Sequence, residues 1–132
     1  MTILLFGLFI IKHFICDFLL QRSYQYRNKW RYGHPGGLLH AAIHMLGTWL
    51  ILVWISVPLA VAAAIIDGIL HYHIDWAKAQ INHRFNLSHN TDGFWILFGL
   101  DQMLHTLTYL FIVWMVIDPA ALATIHRFLQ NQ

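Results

Sequence analysis

Apolar residues dominate four stretches of the chain, 3–20, 38–57, 59–79 and 94–117, and short polar segments separate them. Each runs to about 18–24 residues, the length that roughly 30 Å of hydrocarbon demands of an α-helix. Pro35 with Gly36 and Gly37, the lone Pro58, and the segment 86–93 supply the breaks. The second and third stretches meet so closely at Pro58 that they predict an antiparallel hairpin. Asp118 and Pro119 suit the N-cap and first position of a short further helix. Leu122, Ile125, Phe128 and Leu129 would give it one apolar face against a membrane surface. The pattern predicts an all-α protein with one transmembrane domain over 1–132. It would be an integral membrane four-helix bundle with a short amphipathic C-terminal helix in the tail 119–132. The first stretch lacks a basic flank and leads into Asp17 and Gln21, so it reads as a retained helix and not as a signal peptide.

Composition sharpens this picture. Of 132 residues, 58% are hydrophobic and 11% charged, against roughly 25% charged in soluble domains. That excludes a disordered chain, a nucleic-acid-binding domain and most soluble enzymes. The lone Cys16 rules out an internal disulfide and reads as packing. Basic residues concentrate in the first loop (Arg22, Arg27, Lys29, Arg31) and around the third (Lys78, Arg84). The positive-inside rule then places those loops in the cytoplasm and both termini outside. Trp30, Tyr32 and Trp95 suit interfacial anchors.

All six acids are Asp, and ten residues are His. Measured at about 1.5 Å per residue from the cytoplasmic helix ends, the ionisable groups of all four helices reach the same half of the bilayer. Each helix presents a pair at i and i+4: His13 with Asp17, His40 with His44, His71 with Asp75, and Asp101 with His105. Such pairs share one helical face. Gln21 continues the first stripe, Asp67 extends the third, and Gly47 would let helices approach closely. His73 faces nearly opposite His71, while His34, His83, His89 and His126 fall in loops or the tail. An Asp or Lys at mid-helix costs on the order of 2.5–3.5 kcal/mol, so Asp17, Asp67, Asp75 and Asp101 need partners. Lys12, as a charge partner or a snorkelling side chain, balances one of them at most. Divalent ions would supply the missing charge. His nitrogen with carboxylate oxygen suits a divalent transition metal, one or two ions, with zinc foremost and iron or manganese as alternatives. The predicted metal ligands are His13, Asp17, His40, His44, His71, Asp75, Asp101 and His105.

The ordered motifs resemble a family of bacterial and phage membrane proteins called domain of unknown function 3307. The resemblance rests on His13, Asp17, Phe18, Leu20, Gln21, Lys29 and His40, then His71 with Asp75, then Asp101, Gln102 and His105. It implies a multi-pass protein of the bacterial inner membrane and no particular reaction. From the residues themselves, a metal-dependent hydrolase of a lipid or phosphorylated lipid-linked substrate is the leading expectation. Asp75 or Asp101 would act as general base, and Arg22, Arg27 and Lys29 would bind the head group beside an opening under the first loop. The alternatives are a non-catalytic module stapled by its metal, a metal-ion transporter or sensor, and a haem or di-iron redox protein. Expected partners are membrane lipids, with no nucleic acid; a homo-oligomer is compatible with the pattern.

Overall fold

The computed structural model describes residues 2–118 together with Ala123 and Arg127. The architecture is all-helical: α1 (Thr2–Phe14), α2 (Ser23–Tyr26), α3 (Pro35–Leu52), α4 (Val57–Arg84) and α5 (Asp92–Ile117). Beyond Phe14, α1 widens into a π-helical turn, Ile15–Leu19, which the Leu20 N–H closes on the Ile15 carbonyl at 2.9 Å. Four helices are long and apolar enough to cross a membrane: α1 with its π-turn, α3, α4 and α5. The expected surface helix, with Leu122, Ile125, Phe128 and Leu129, lies outside the described residues.

Helix limits differ from the hydrophobic runs for local reasons. The Pro35-Gly36-Gly37 break is the first turn of α3. Proline tolerates the N1 position, and His34 Nδ1 caps the turn by accepting from the Gly36 N–H at 3.0 Å. A Cβ on Gly36 would strike the Tyr24 carbonyl, and one on Gly37 would press the Tyr72 ring. α3 stops at Leu52, and Val53–Ile55 turn towards the Ser56 cap of α4. α4 continues past Ala79 to Arg84 because its polar end receives the first loop (below). Gly47 lies under the Lys12 stem as its position suggested.

Outward faces carry Ile11, Leu46, Leu50, Ile69, Leu107 and Phe111, all exposed, whereas Lys12, His40, His44, Asp67, His71 and Asp101 are buried. This inside-out distribution fits hydrocarbon as the solvent. Along its length the interior has two parts. An apolar end packs Leu5, Phe9, Leu52, Leu59, Ile112 and Val116; the end nearer the first loop holds the ionisable groups. Tyr109 sits between, its ring stacked on Phe9 at 5.4 Å and its hydroxyl turned to the polar side.

At this boundary Lys12 Nζ meets Asp67 Oδ2 at 2.6 Å, with Thr48 Oγ1 donating to the same oxygen at 2.6 Å. Lys12 is therefore a charge partner, and Asp67 is held here, away from the histidines. Removing one partner of a buried pair typically costs about 3–5 kcal/mol, whereas an apolar replacement of both can be neutral. Asp67→Ala should thus lower thermal stability in detergent steeply. Lys12→Met combined with Asp67→Leu should recover most of the loss; equal loss in the double variant would show that the pair is not what the polar–apolar boundary rests on.

Candidate metal centre

Four chain segments bring imidazole and carboxylate groups to one place, with Asp17 at its centre. The π-turn carries Asp17 towards α3 and α4; wide turns of this kind recur at functional sites. Asp17 Oδ1 lies 2.9 Å from His40 Nε2, 3.0 Å from His44 Nε2 and 3.6 Å from His71 Nε2. The Nε2 atoms of His40 and His71 are 3.0 Å apart. Two such nitrogens cannot both point protons at each other, so one must present a lone pair. A tetrahedral ion with bonds of about 2.0–2.1 Å holds its ligands about 3.3 Å from one another, and the distances observed bracket that edge. Asp17, His40, His44 and His71 thus form a group that could hold a metal ion. The Nδ1 atoms of His40, His44 and His71 are buried without a hydrogen-bond partner. The Asp17 carboxylate accepts from Nε2–H of His40 and His44, and a metal at Nε2 would move that proton to the unpartnered Nδ1 or release it.

His13 differs. Lys12 Nζ, a donor only, approaches the Tyr109 oxygen at 3.4 Å, so the Tyr109 O–H is left to donate to His13 Nδ1 at 2.9 Å. On the ring's other side, Gln102 donates its amide N–H to Asp101 Oδ2 at 3.1 Å and so turns its carbonyl to His13 Nε2 at 3.1 Å. Both constraints require Nδ1 to accept and Nε2–H to donate. The same Nε2 lies 3.3 Å from Asp17 Oδ2. His13 also belongs, with His71 and His105, to a group that could hold a metal ion; as placed, its two nitrogens bond protein partners, and it orients the carboxylate that faces the other three rings.

Asp75 and Asp101 complete the cluster with His105. Asp75 Oδ2 is 3.2 Å from His71 Nε2 and 3.4 Å from His40 Nε2, and its Oδ1 is 3.8 Å from His105 Nε2. Asp101 Oδ1 is 3.5 Å from His105 Nε2. All four expected i,i+4 pairs thus point inward. The charge balance does not follow the expectation. Lys29 Nζ reaches Asp75 Oδ2 at 2.6 Å, and Lys78 Nζ reaches Asp101 Oδ2 at 2.9 Å. With Lys12 on Asp67, only Asp17 lacks a lysine, so with neutral histidines one negative charge is uncompensated, not three. Lys29 is turned into the bundle, away from any head group, because Asp75 offers it the nearest buried charge. Tyr109 and Thr48 were not singled out from sequence, Lys78 was read only as a basic residue beside the third loop, and Gln102 only as part of the family motif; Tyr109 sits four residues from His105, the one signal that could have found it.

The first loop closes over the centre as a strap. Trp30 stacks flat on His83 at 4.2 Å, and its carbonyl accepts from Gln80 at 2.6 Å. The Gly33 N–H donates to the Tyr72 hydroxyl at 2.6 Å, and Tyr32 packs edge-on against Trp76. The space between Lys29, Gly37, Tyr72, Asp75 and Trp76 is too narrow for a water molecule, so the strap is closed at Asp75. Arg22 and Arg27 are exposed on the strap. Another approach exists: an apolar groove of about 280 Å³ between α4 and α5, lined by Leu70, Ile74, Leu97 and Leu100, reaches Lys78 and Asp101. His73 lines the same groove, outside the cluster, held to the Ile69 carbonyl at 2.7 Å.

Fold and site together define an all-helical, membrane-compatible bundle with His/Asp groups that could hold metal. The chain belongs to the family described as Protein of unknown function (DUF3307), whose model matches residues 5–131. That span includes every motif on which the resemblance rested. No curated protein and no solved structure matches the chain.

Nitrogen-15 NMR of labelled protein in detergent reads the His13 tautomer directly. The wild type should show the proton on Nε2. Tyr109→Phe combined with Gln102→Ala removes the donor at Nδ1 and one acceptor at Nε2; Asp17 still faces Nε2, so the preference should weaken without reversing. A wild-type ring protonated on Nδ1 would refute the assignment.

Proposed function

We propose that this protein is an integral membrane metalloprotein that binds one zinc ion, or a similar divalent transition metal, through Asp17, His40, His44 and His71. The single observation behind this reading is the convergence of three imidazole Nε2 atoms on one carboxylate oxygen at 2.9–3.6 Å. A dication there would answer the one uncompensated carboxylate and relieve the facing nitrogens of His40 and His71. The clustering of basic residues in loops one and three supports an inner-membrane orientation with those loops cytoplasmic and both termini outside.

The reaction this arrangement suits best is hydrolysis of a membrane lipid or lipid-linked phosphate. Support comes from the α4–α5 groove, which offers an acyl chain an apolar bed and leads its head group to Lys78 and Asp101. Arg22 and Arg27 stand at the water-facing side of the strap to meet phosphate. Four protein ligands fill a tetrahedral zinc, so the metal would supply Lewis acidity and an activated water once one of the four gives way to water. Asp75, beside His40 and His71, and Asp101, at the groove's polar end, are the two carboxylates that would hold a proton from that water, each now paired with a lysine. The alternative, a module that the metal only staples, is favoured by the tight seal of the strap.

Elemental analysis of purified protein should give one metal per chain. Asp17→Ala and His44→Ala should lose it. His13→Ala, which removes only an orienting hydrogen bond, should weaken binding about 10–100-fold, and His73→Ala should leave it unchanged. Equal metal content in all four variants would end the proposal. For the reaction, metal-loaded protein is assayed against phosphorylated lipids. Leu100→Trp should block the groove and cut turnover at unchanged metal content; no metal-dependent product from any phosphorylated lipid would favour the staple.

A further inference from the structure

Beyond the zinc position lies a second group of different chemistry: Asp75, Asp101 and His105, each buried. Two of its atoms, Asp101 Oδ1 and His105 Nε2, are sealed from solvent with no hydrogen-bond partner, although they face one another at 3.5 Å. A buried carboxylate oxygen and a buried ring nitrogen left in this state would each cost about 1–3 kcal/mol, and an ion between them satisfies both. Asp75 links this group to the first. Its Oδ2 lies beside His71 and His40, and its Oδ1 turns to His105, which is the posture of a carboxylate that bridges two ions.

The donor sets differ in character. The first position offers three nitrogens and one oxygen at edges that suit tetrahedral zinc. The second offers two carboxylates and one imidazole, at wider spacings of 3.5 and 3.8 Å. That oxygen-rich, open set suits a harder divalent ion such as Mn²⁺ or Fe²⁺. Facing-helix carboxylate and histidine pairs of this kind have a precedent in dinuclear four-helix bundles.

Lys29 and Lys78 explain how the second position exists without its ion. Each ammonium sits on the far oxygen of one of these two carboxylates, Asp75 Oδ2 and Asp101 Oδ2. Lys29 comes from the strap, and Lys78 from the cytoplasmic part of α4, where its side chain is 22% exposed. Both stems are long enough to withdraw their charge towards water. We propose that Asp75, Asp101 and His105 form a second divalent-cation site, bridged to the first by Asp75, with Lys29 and Lys78 as placeholder cations that leave when it fills. The bridged centre rests on the zinc reading; the second site itself does not, because Asp101 and His105 belong to no part of the first.

The test is Mn²⁺ binding followed by loss of the free-ion EPR signal, in detergent-solubilised protein loaded with one equivalent of Zn²⁺. One Mn²⁺ should bind per chain, and Asp101→Asn or His105→Gln should abolish it while zinc is retained. Lys78→Gln removes a competing charge and should tighten Mn²⁺ binding by about tenfold or more. A salt bridge with only a structural role predicts the contrary, lower stability and no gain in binding. The His44→Ala variant, tested with Mn²⁺ alone, separates the two readings. Binding there with no zinc retention in the wild type would sink the first site and keep the second. Absence of Mn²⁺ binding in folded wild type and in Lys78→Gln, whether or not zinc is held, would overturn the second.

Discussion

A packed helical interior cannot solvate a carboxylate, and four aspartates inside this bundle must therefore be answered from within the protein. Lys12, Lys29 and Lys78 answer three of them at 2.6–2.9 Å, each across a different pair of segments. Much of the architecture follows. Lys12 ties α1 to α4 at the polar–apolar boundary, Lys29 draws the first loop down onto α4, and Lys78 joins α4 to α5. Asp17 alone is left to histidines, and it is there that Nε2 atoms crowd to hydrogen-bond distance of one another.

This division of labour separates scaffold from chemistry. The apolar end around Phe9, Leu59 and Ile112 packs without polar atoms, so it sets helix positions and closes the interior towards one face. Tyr109 couples the two ends: its ring belongs to the packed half, and its hydroxyl fixes the His13 ring. A change in the packing around Phe9 would in this way be felt at Asp17 through two contacts, Tyr109 to His13 and His13 to Asp17.

Access follows the same logic. The strap is held by a ring stack, backbone hydrogen bonds and the Lys29 ion pair, and it leaves no water-sized path to Asp75. The α4–α5 groove, by contrast, is apolar and open on the bundle's outer surface. A molecule that met Asp101 by that route would come from the bundle's apolar outer surface.

The sequence by itself determined the helical class, four spans long enough for a bilayer, and the inward stripes. Periodicity and length are properties of single helices, and an i,i+4 pair on each helix admits no other shared face. It also identified the family through those motifs. Partner choice was decided only by tertiary structure. Lys29 and Lys78 read as loop and helix-end charges because their distance to Asp75 and Asp101 depends on how the strap folds and how α4 packs on α5. For His13, spacing places the ring but not its proton; the proton's position follows from Tyr109, Lys12 and Gln102, contributed by two helices. The glycines after Pro35 read as a break because the sequence could not show the Tyr24 carbonyl and the Tyr72 ring against them. Which charges meet, and which nitrogen is left free, are questions of angstroms between helices, and those distances exist only once the bundle has closed.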